Sequence, residues 1–214
     1  MNGIPRVAIA LAALLALCLL LPACGGQEPV PRLPALSSDA RILAFGDSLT
    51  SGSGAGNAES YPAVLSELLG HEVINAGNPG ELSASGLDRI TTVLERERPD
   101  LLLLCHGGND LLRGRSTERL AANLAAMIRA ARDRDIPVIL IGVPARAWPI
   151  RTADVYRDVA ADAGVPLEDS VVARILRDES LRADPIHPNA AGYRKLAEAV
   201  HDLLIQAGAV KPVH

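Results

Sequence analysis

From residue 41 onward the chain alternates short, continuous apolar runs with longer stretches in which apolar residues recur every three or four positions. The runs at 42–45, 101–104 and 136–142 have strand length and almost no polar interruption, as expected of strands buried on both faces of a parallel sheet. The stretches 71–76 and 165–168 complete a set of five. Between them, helical spacing covers 61–69, 85–98, 117–133, 152–163 and 189–207. In the second of these Leu87, Ile90, Thr91 and Leu94 form the inward stripe, with Arg89, Glu95, Arg96 and Glu97 placed outside. Ser60 and Gly70 bracket the first helix, and Pro99-Asp100 ends the second. This alternation predicts an α/β fold, a three-layer α/β/α sandwich around a five-stranded parallel sheet. Periodicity does not order the strands; the flavodoxin-like order 2-1-3-4-5 is one of two common arrangements.

The first 23 residues follow a different pattern. Arg6 supplies a positive start, residues 7–21 are uninterruptedly apolar, and Leu21-Pro22-Ala23-Cys24 offers small residues for cleavage. The run is short for a bilayer span, which needs about 20 residues. Residues 1–23 therefore read as an export signal. Leu-x-Ala-Cys resembles the lipobox of bacterial lipoproteins, which implies acylation of Cys24 as the first mature residue, attachment to a membrane of the cell envelope and export from the cytoplasm. Residues 24–40, with Pro29, Pro31 and Pro34, read as a flexible tether, and residues 41–210 as the folded domain.

Composition narrows the picture. With 214 residues, 49% of them hydrophobic, the chain supports one core, and a monomer is expected. A net charge of -4 and the lack of any Lys/Arg cluster argue against a nucleic-acid partner. Cys18 leaves with the signal, Cys24 is the lipidation candidate, and Cys105 ends an apolar run as a core residue; no disulfide framework, metal site or cofactor is expected.

Candidate chemistry lies where the strands end. Gly46-Asp47-Ser48 breaks the first run at the edge where open α/β sheets bind ligands; the alternative role for Asp47 or Ser48 is a helix N-cap. A glycine-rich stretch at 51–57 reads as a mobile loop beside Ser48. The 75–80 turn suits exposed backbone N–H groups, although an ordinary tight turn has the same composition. His106 stands alone, without a second ligand at metal spacing. Asp184-Pro185-Ile186-His187-Pro188 places a carboxylate and an imidazole in one stiff loop, the two groups an acyl-transfer serine requires.

Gly46-Asp47-Ser48-Leu49, the 75–80 loop, Gly108-Asn109-Asp110 and the 184–188 loop resemble, in order and spacing, the motif blocks of the SGNH or GDSL hydrolases. The chain looks most like their bacterial arylesterase and thioesterase/lysophospholipase branch, over residues 41–205. The resemblance implies Ser48 as nucleophile, His187 as general base and acid, and Asp184 as its partner. It also implies an oxyanion hole from the N–H groups of Ser48 and Gly80 and the side chain of Asn109. Gly77 stands where relatives often carry Ser, which leaves Gly77 open as the donor instead of Gly80. With only five aromatic residues the chain offers no stacking platform for polysaccharide, so a carbohydrate O-acetylesterase ranks below an apolar acyl ester, thioester or lysophospholipid hydrolase. A lipid-anchored binding protein without turnover is the competing class. Leu111, Leu112, Val143, Pro144, Ala145 and Trp148 are the apolar substrate-side candidates, and Arg113, Arg115, Arg146 and Arg151 could meet an anionic group on a substrate.

Overall fold

The structure, a computed structural model, describes residues 29–145 and 147–212. The expected signal over 1–23, Cys24 and Arg146 lie outside the described residues. Five parallel strands form one sheet: β1 (Arg41–Gly46), β2 (Glu72–Gly77), β3 (Leu101–Cys105), β4 (Val138–Ile141) and β5 (Leu167–Glu168), in the order β2-β1-β3-β4-β5. Leu43 pairs with Ile74 on one side and Leu102 on the other, and Leu103 pairs with Ile139. The uninterrupted runs are the central strands: all of β3 and β4 is buried, while β2 forms a half-exposed edge.

The helices are α1 (Ser48–Ser51), α2 (Tyr61–Leu69), α3 (Ser83–Glu97), α4 (Gly108–Leu112), α5 (Thr117–Arg132), α6 (Asp154–Ala163), α7 (Val171–Arg177) and α8 (Ala190–Ala207). α2 and α8 pack together as one outer layer, and α3, α5 and α6 as the other. Crossovers of one hand lead each helix back to the start of the next strand, so all strand exits meet at one edge.

Several expectations are revised. α3 starts at Ser83, two residues early, because the Asp110 carboxylate accepts its first N–H at 2.8 Å. Its buried side is Gly86, Ile90, Val93 and Leu94, while Thr91 is exposed. Arg89, placed outside by its charge, turns inward over the Phe45 ring, 4.0 Å from the centroid. α7 was not expected; its Val171, Val172, Ile175 and Leu176 are buried and close the core beside α8. Nor is the 51–57 stretch a free loop. Ser51 belongs to α1 and hydrogen-bonds the Ser48 carbonyl at 3.0 Å, and the Tyr193 hydroxyl donates to the Ser53 carbonyl at 2.8 Å.

The largest revision concerns the tether. Its described part has no helix or strand, yet Leu33 N–H donates to the Ala207 carbonyl at 2.9 Å and Leu36 N–H to that of Ala209 at 2.8 Å. Val30, Leu33 and Leu36 pack on the core. Prolines remove helix and sheet as options, but these three apolar side chains still gain by burial, about 1.5–3 kcal/mol for each fully buried one. Residues 30–36 thus belong to the packed domain. No helix among the described residues is long and apolar enough to cross a membrane.

Candidate active site

β1 delivers the chain to Asp47, whose carboxylate accepts from Leu49 N–H at 3.2 Å and so caps α1. The other carboxylate oxygen accepts from Gly108 N–H at 3.2 Å, tying the exit of β1 to that of β3. Burial raises the Asp47 carboxyl above its usual range, partly offset by these N–H groups and the Asn109 amide. Ser48 follows as the first residue of α1. Its Oγ lies 3.0 Å from His187 Nε2, and His187 Nδ1 lies 2.7 Å from Asp184 Oδ2.

The 184–188 loop is built to hold that line. Asp184 Oδ1 accepts from the N–H groups of Ile186 (2.8 Å) and His187 (2.9 Å), and Ala183 N–H returns to the His187 carbonyl at 2.9 Å. Asn189 then caps α8 through Gly192 N–H at 3.0 Å. Burial pushes Asp184 up, but the His187 ring and the two N–H groups outweigh it and hold the carboxyl below its ordinary value. An ionised carboxylate only accepts, so Nδ1 carries the ring proton and Nε2 is left to accept from the Ser48 hydroxyl.

Beside Ser48 and His187 opens a cavity of about 490 Å³. Asn109, Leu112, Val143, Pro144, Ala145 and Trp148 line it with Ile186. Trp148, 87% exposed, and Ile186, 39%, are the exposed large apolar side chains of the described residues, and both stand at its mouth. Leu111 lies in a neighbouring depression instead. Of the described arginines considered, Arg113, Arg115 and Arg151, none lines the cavity: Arg113 donates to the Gly80 carbonyl at 3.3 Å, and Arg151 faces Asp154 at 3.7 Å.

The oxyanion candidates are distributed as follows. Gly77 N–H is occupied by Asn75 Oδ1 at 2.9 Å, and a Cβ at Gly77 would stand 2.1 Å from the Ser51 backbone nitrogen. Gly77 is therefore where β2 passes close to α1, a packing requirement. Gly80, at φ +78°, is exposed, and its N–H has no hydrogen bond among the described residues, although it is not part of the cavity lining. Asn109 Nδ2 donates one N–H to the Glu81 carbonyl at 3.1 Å, and the amide also approaches the Asp47 carboxylate. Sequence reasoning missed the second bond of Asp47 and a Glu81–Arg89–His106 cluster, in which Glu81 and His106 are buried, since both depend on which loops meet. Among the described residues no three or more His, Cys, Asp or Glu side chains are grouped as a metal would need.

A parallel sheet in this order, with a serine, a histidine and a carboxylate in line at its exit edge, defines an α/β serine hydrolase. The chain matches the model of the GDSL-like lipase/acylhydrolase family over residues 44–195, and it belongs to that family. It is 32% identical to the esterase TesA of Pseudomonas aeruginosa over 74% of this chain and 85% of that one. To an arylesterase of Vibrio mimicus it is 29% identical, over 78% and 88%. The crystal structure of TesA superposes with a TM-score of 0.70 at 29% identity, covering 78% of this chain and 99% of that one.

Proposed function

We propose that this esterase cleaves apolar acyl esters through an acyl-enzyme on Ser48. The observation that carries the reading is the unbroken line from Ser48 Oγ through His187 to Asp184, at 3.0 and 2.7 Å, beside an apolar cavity. His187 Nε2 takes the hydroxyl proton as Oγ attacks the ester carbonyl, and Asp184 stabilises the imidazolium through Nδ1–H. The tetrahedral oxyanion is received by the N–H groups of Ser48 and Gly80 and the second N–H of Asn109, a set supported by the free Gly80 N–H and the occupied one of Gly77. His187 then protonates the departing alkoxide, and water, deprotonated by the same nitrogen, releases the acid. The cavity takes the acyl group, with Pro144, Ala145 and Trp148 as its wall.

The resemblance to arylesterases and the apolar wall favour short to medium acyl chains, and a lysophospholipid or thioester falls within the same chemistry. Cys24 we take as the acylated mature residue, on the strength of Leu21-Pro22-Ala23-Cys24. The test is Ser48→Ala. It should abolish hydrolysis of p-nitrophenyl esters and labelling by an alkyl phosphonate while leaving the thermal midpoint within a few degrees of wild type. Undiminished turnover in that variant would overturn the reading.

A further inference from the structure

Glu81 is a charged side chain only 4% exposed, and it is not part of the cavity lining. Four bonds converge on its carboxylate: from Arg89 Nε (3.0 Å) and Nη2 (2.6 Å), from Asn78 Nδ2 (2.9 Å) and from His106 Nε2 (3.1 Å). His106 is fully buried, and its Nδ1 has no partner among the described residues. A buried N–H there would be unsatisfied, so the proton resides on Nε2 and is donated to Glu81.

The positions of these residues carry the argument. Glu81 directly follows Gly80, and its own carbonyl accepts the Asn109 side-chain amide at 3.1 Å. His106 begins the turn Gly107-Gly108-Asn109 at the exit of β3. Arg89 donates in addition to the carbonyls of Ala76 (3.2 Å) and Gly46 (3.4 Å), at the ends of β2 and β1. One carboxylate is thus joined to the ends of all three strands whose exit loops carry Ser48, Gly80 and Asn109.

We propose that Glu81 and His106 are positioning residues: their buried bond locks the Gly80 turn to the Asn109 turn and fixes the Asn109 amide, so that its second N–H is aimed before charge develops. The proposal rests on the oxyanion role given to Asn109 above. A network that only added stability would have no reason to act on kcat, whereas one that aims donors acts on kcat and leaves KM nearly alone, because those donors bind the transition state more tightly than the ester.

The experiment measures kcat, KM and the thermal midpoint on p-nitrophenyl butyrate for wild type, His106→Leu, His106→Gln, Glu81→Gln, Asn109→Ala and the double variant His106→Leu/Asn109→Ala. His106→Leu removes the donor; in His106→Gln an amide N–H can reach the same oxygen. Expected are a loss of kcat of about tenfold in His106→Leu with KM within about twofold, and recovery of most of it in His106→Gln. No further loss of kcat is expected when His106→Leu is added to Asn109→Ala, since both act on one donor. Glu81→Gln, nearly isosteric, makes the same comparison should His106→Leu fail to fold. Wild-type kcat in His106→Leu or Glu81→Gln, or losses that multiply in the double variant, would overturn the clamp while leaving the oxyanion role standing. Wild-type kcat in Asn109→Ala would overturn both.

Discussion

Asn109 uses one N–H to hold the Glu81 carbonyl, and its amide also approaches the Asp47 carboxylate beside Ser48. Removing the amide therefore costs a loop contact and an oxyanion donor at once, and kinetics can separate the two. Asn109→Ala should lower kcat about 10²- to 10³-fold with a much smaller change in KM, measured on a single ester over a concentration series that spans KM. Glu81 gives a test in the pH domain. Burial pushes its carboxyl up, but the bonds from Arg89, Asn78 and His106 more than compensate and lower it from the ordinary 4.5. A depressed carboxylate contributes stability that is complete above its unfolded value and lost as pH falls through the folded one. The thermal midpoint of wild type should therefore exceed that of Glu81→Gln by a constant margin from about pH 8 to pH 5, and the margin should shrink below pH 4.5. At this scale the meeting of Ser48, Asp184 and His187 was legible because each sits beside its own local signal, a strand end or a stiff Asp-x-x-His loop. Arg89 was not: its charge argues for solvent, and only the carbonyls at two strand ends and the Glu81 carboxylate make an inward path favourable.

Elements were legible wherever burial follows the period of the chain and shifted wherever a distant partner fixes an end. α3 shows both. Its interior stripe was half right, since Ile90 and Leu94 are buried but Thr91 is exposed and Val93 takes its place, while its start moved because Asp110 accepts from Ser83 N–H at 2.8 Å and Ser83 Oγ at 2.7 Å, with Asn123 donating to the same hydroxyl at 2.9 Å. That buried tie anchors α4 to the first turn of α3. Asp110→Asn should lower stability by about 1–3 kcal/mol in urea unfolding, with a smaller proportional effect on kcat than Asn109→Ala. Gly86, inside the same helix, makes a sharper case. By propensity alone Gly→Ala in a helix gains up to about 1 kcal/mol, but a Cβ here would lie 2.3 Å from His106 Nε2. Overpacking costs about 1–3 kcal/mol, so Gly86→Ala should come out destabilised, with kcat reduced through the displaced imidazole. Had the ring room to move, the variant would melt higher than wild type.

For the whole molecule, the order β2-β1-β3-β4-β5 gathers the exits of β1, β3 and β4 under the 184–188 loop. Hydrophobic pattern and strand–helix alternation were enough to anticipate the layers, since each central strand is apolar throughout. The arm at 30–36 was not anticipated, because proline-rich composition reports the lack of regular structure and is silent about docking. Its partner is the far end of α8. That helix begins two residues after Pro188, next to His187, and at 1.5 Å per residue its 18 residues carry the chain about 27 Å from the catalytic edge before the arm meets Ala207 and Ala209. From Cys24 to residue 29 the chain spans at most about 18 Å fully extended. A protein acylated at Cys24, as proposed, would thus be tethered through the arm docked beside the end of α8, with no more than that span between the lipid and residue 29. With the anchor proposed for Cys24, the cavity is expected to look outward into the aqueous compartment, toward esters that arrive dissolved or on a facing surface, and away from lipids of the leaflet that holds the acyl chains. Trp148, the single tryptophan, stands at that mouth and serves as the reporter: in vesicles carrying nitroxide-labelled lipids its fluorescence should stay unquenched, and strong quenching would mean that the domain lies face down.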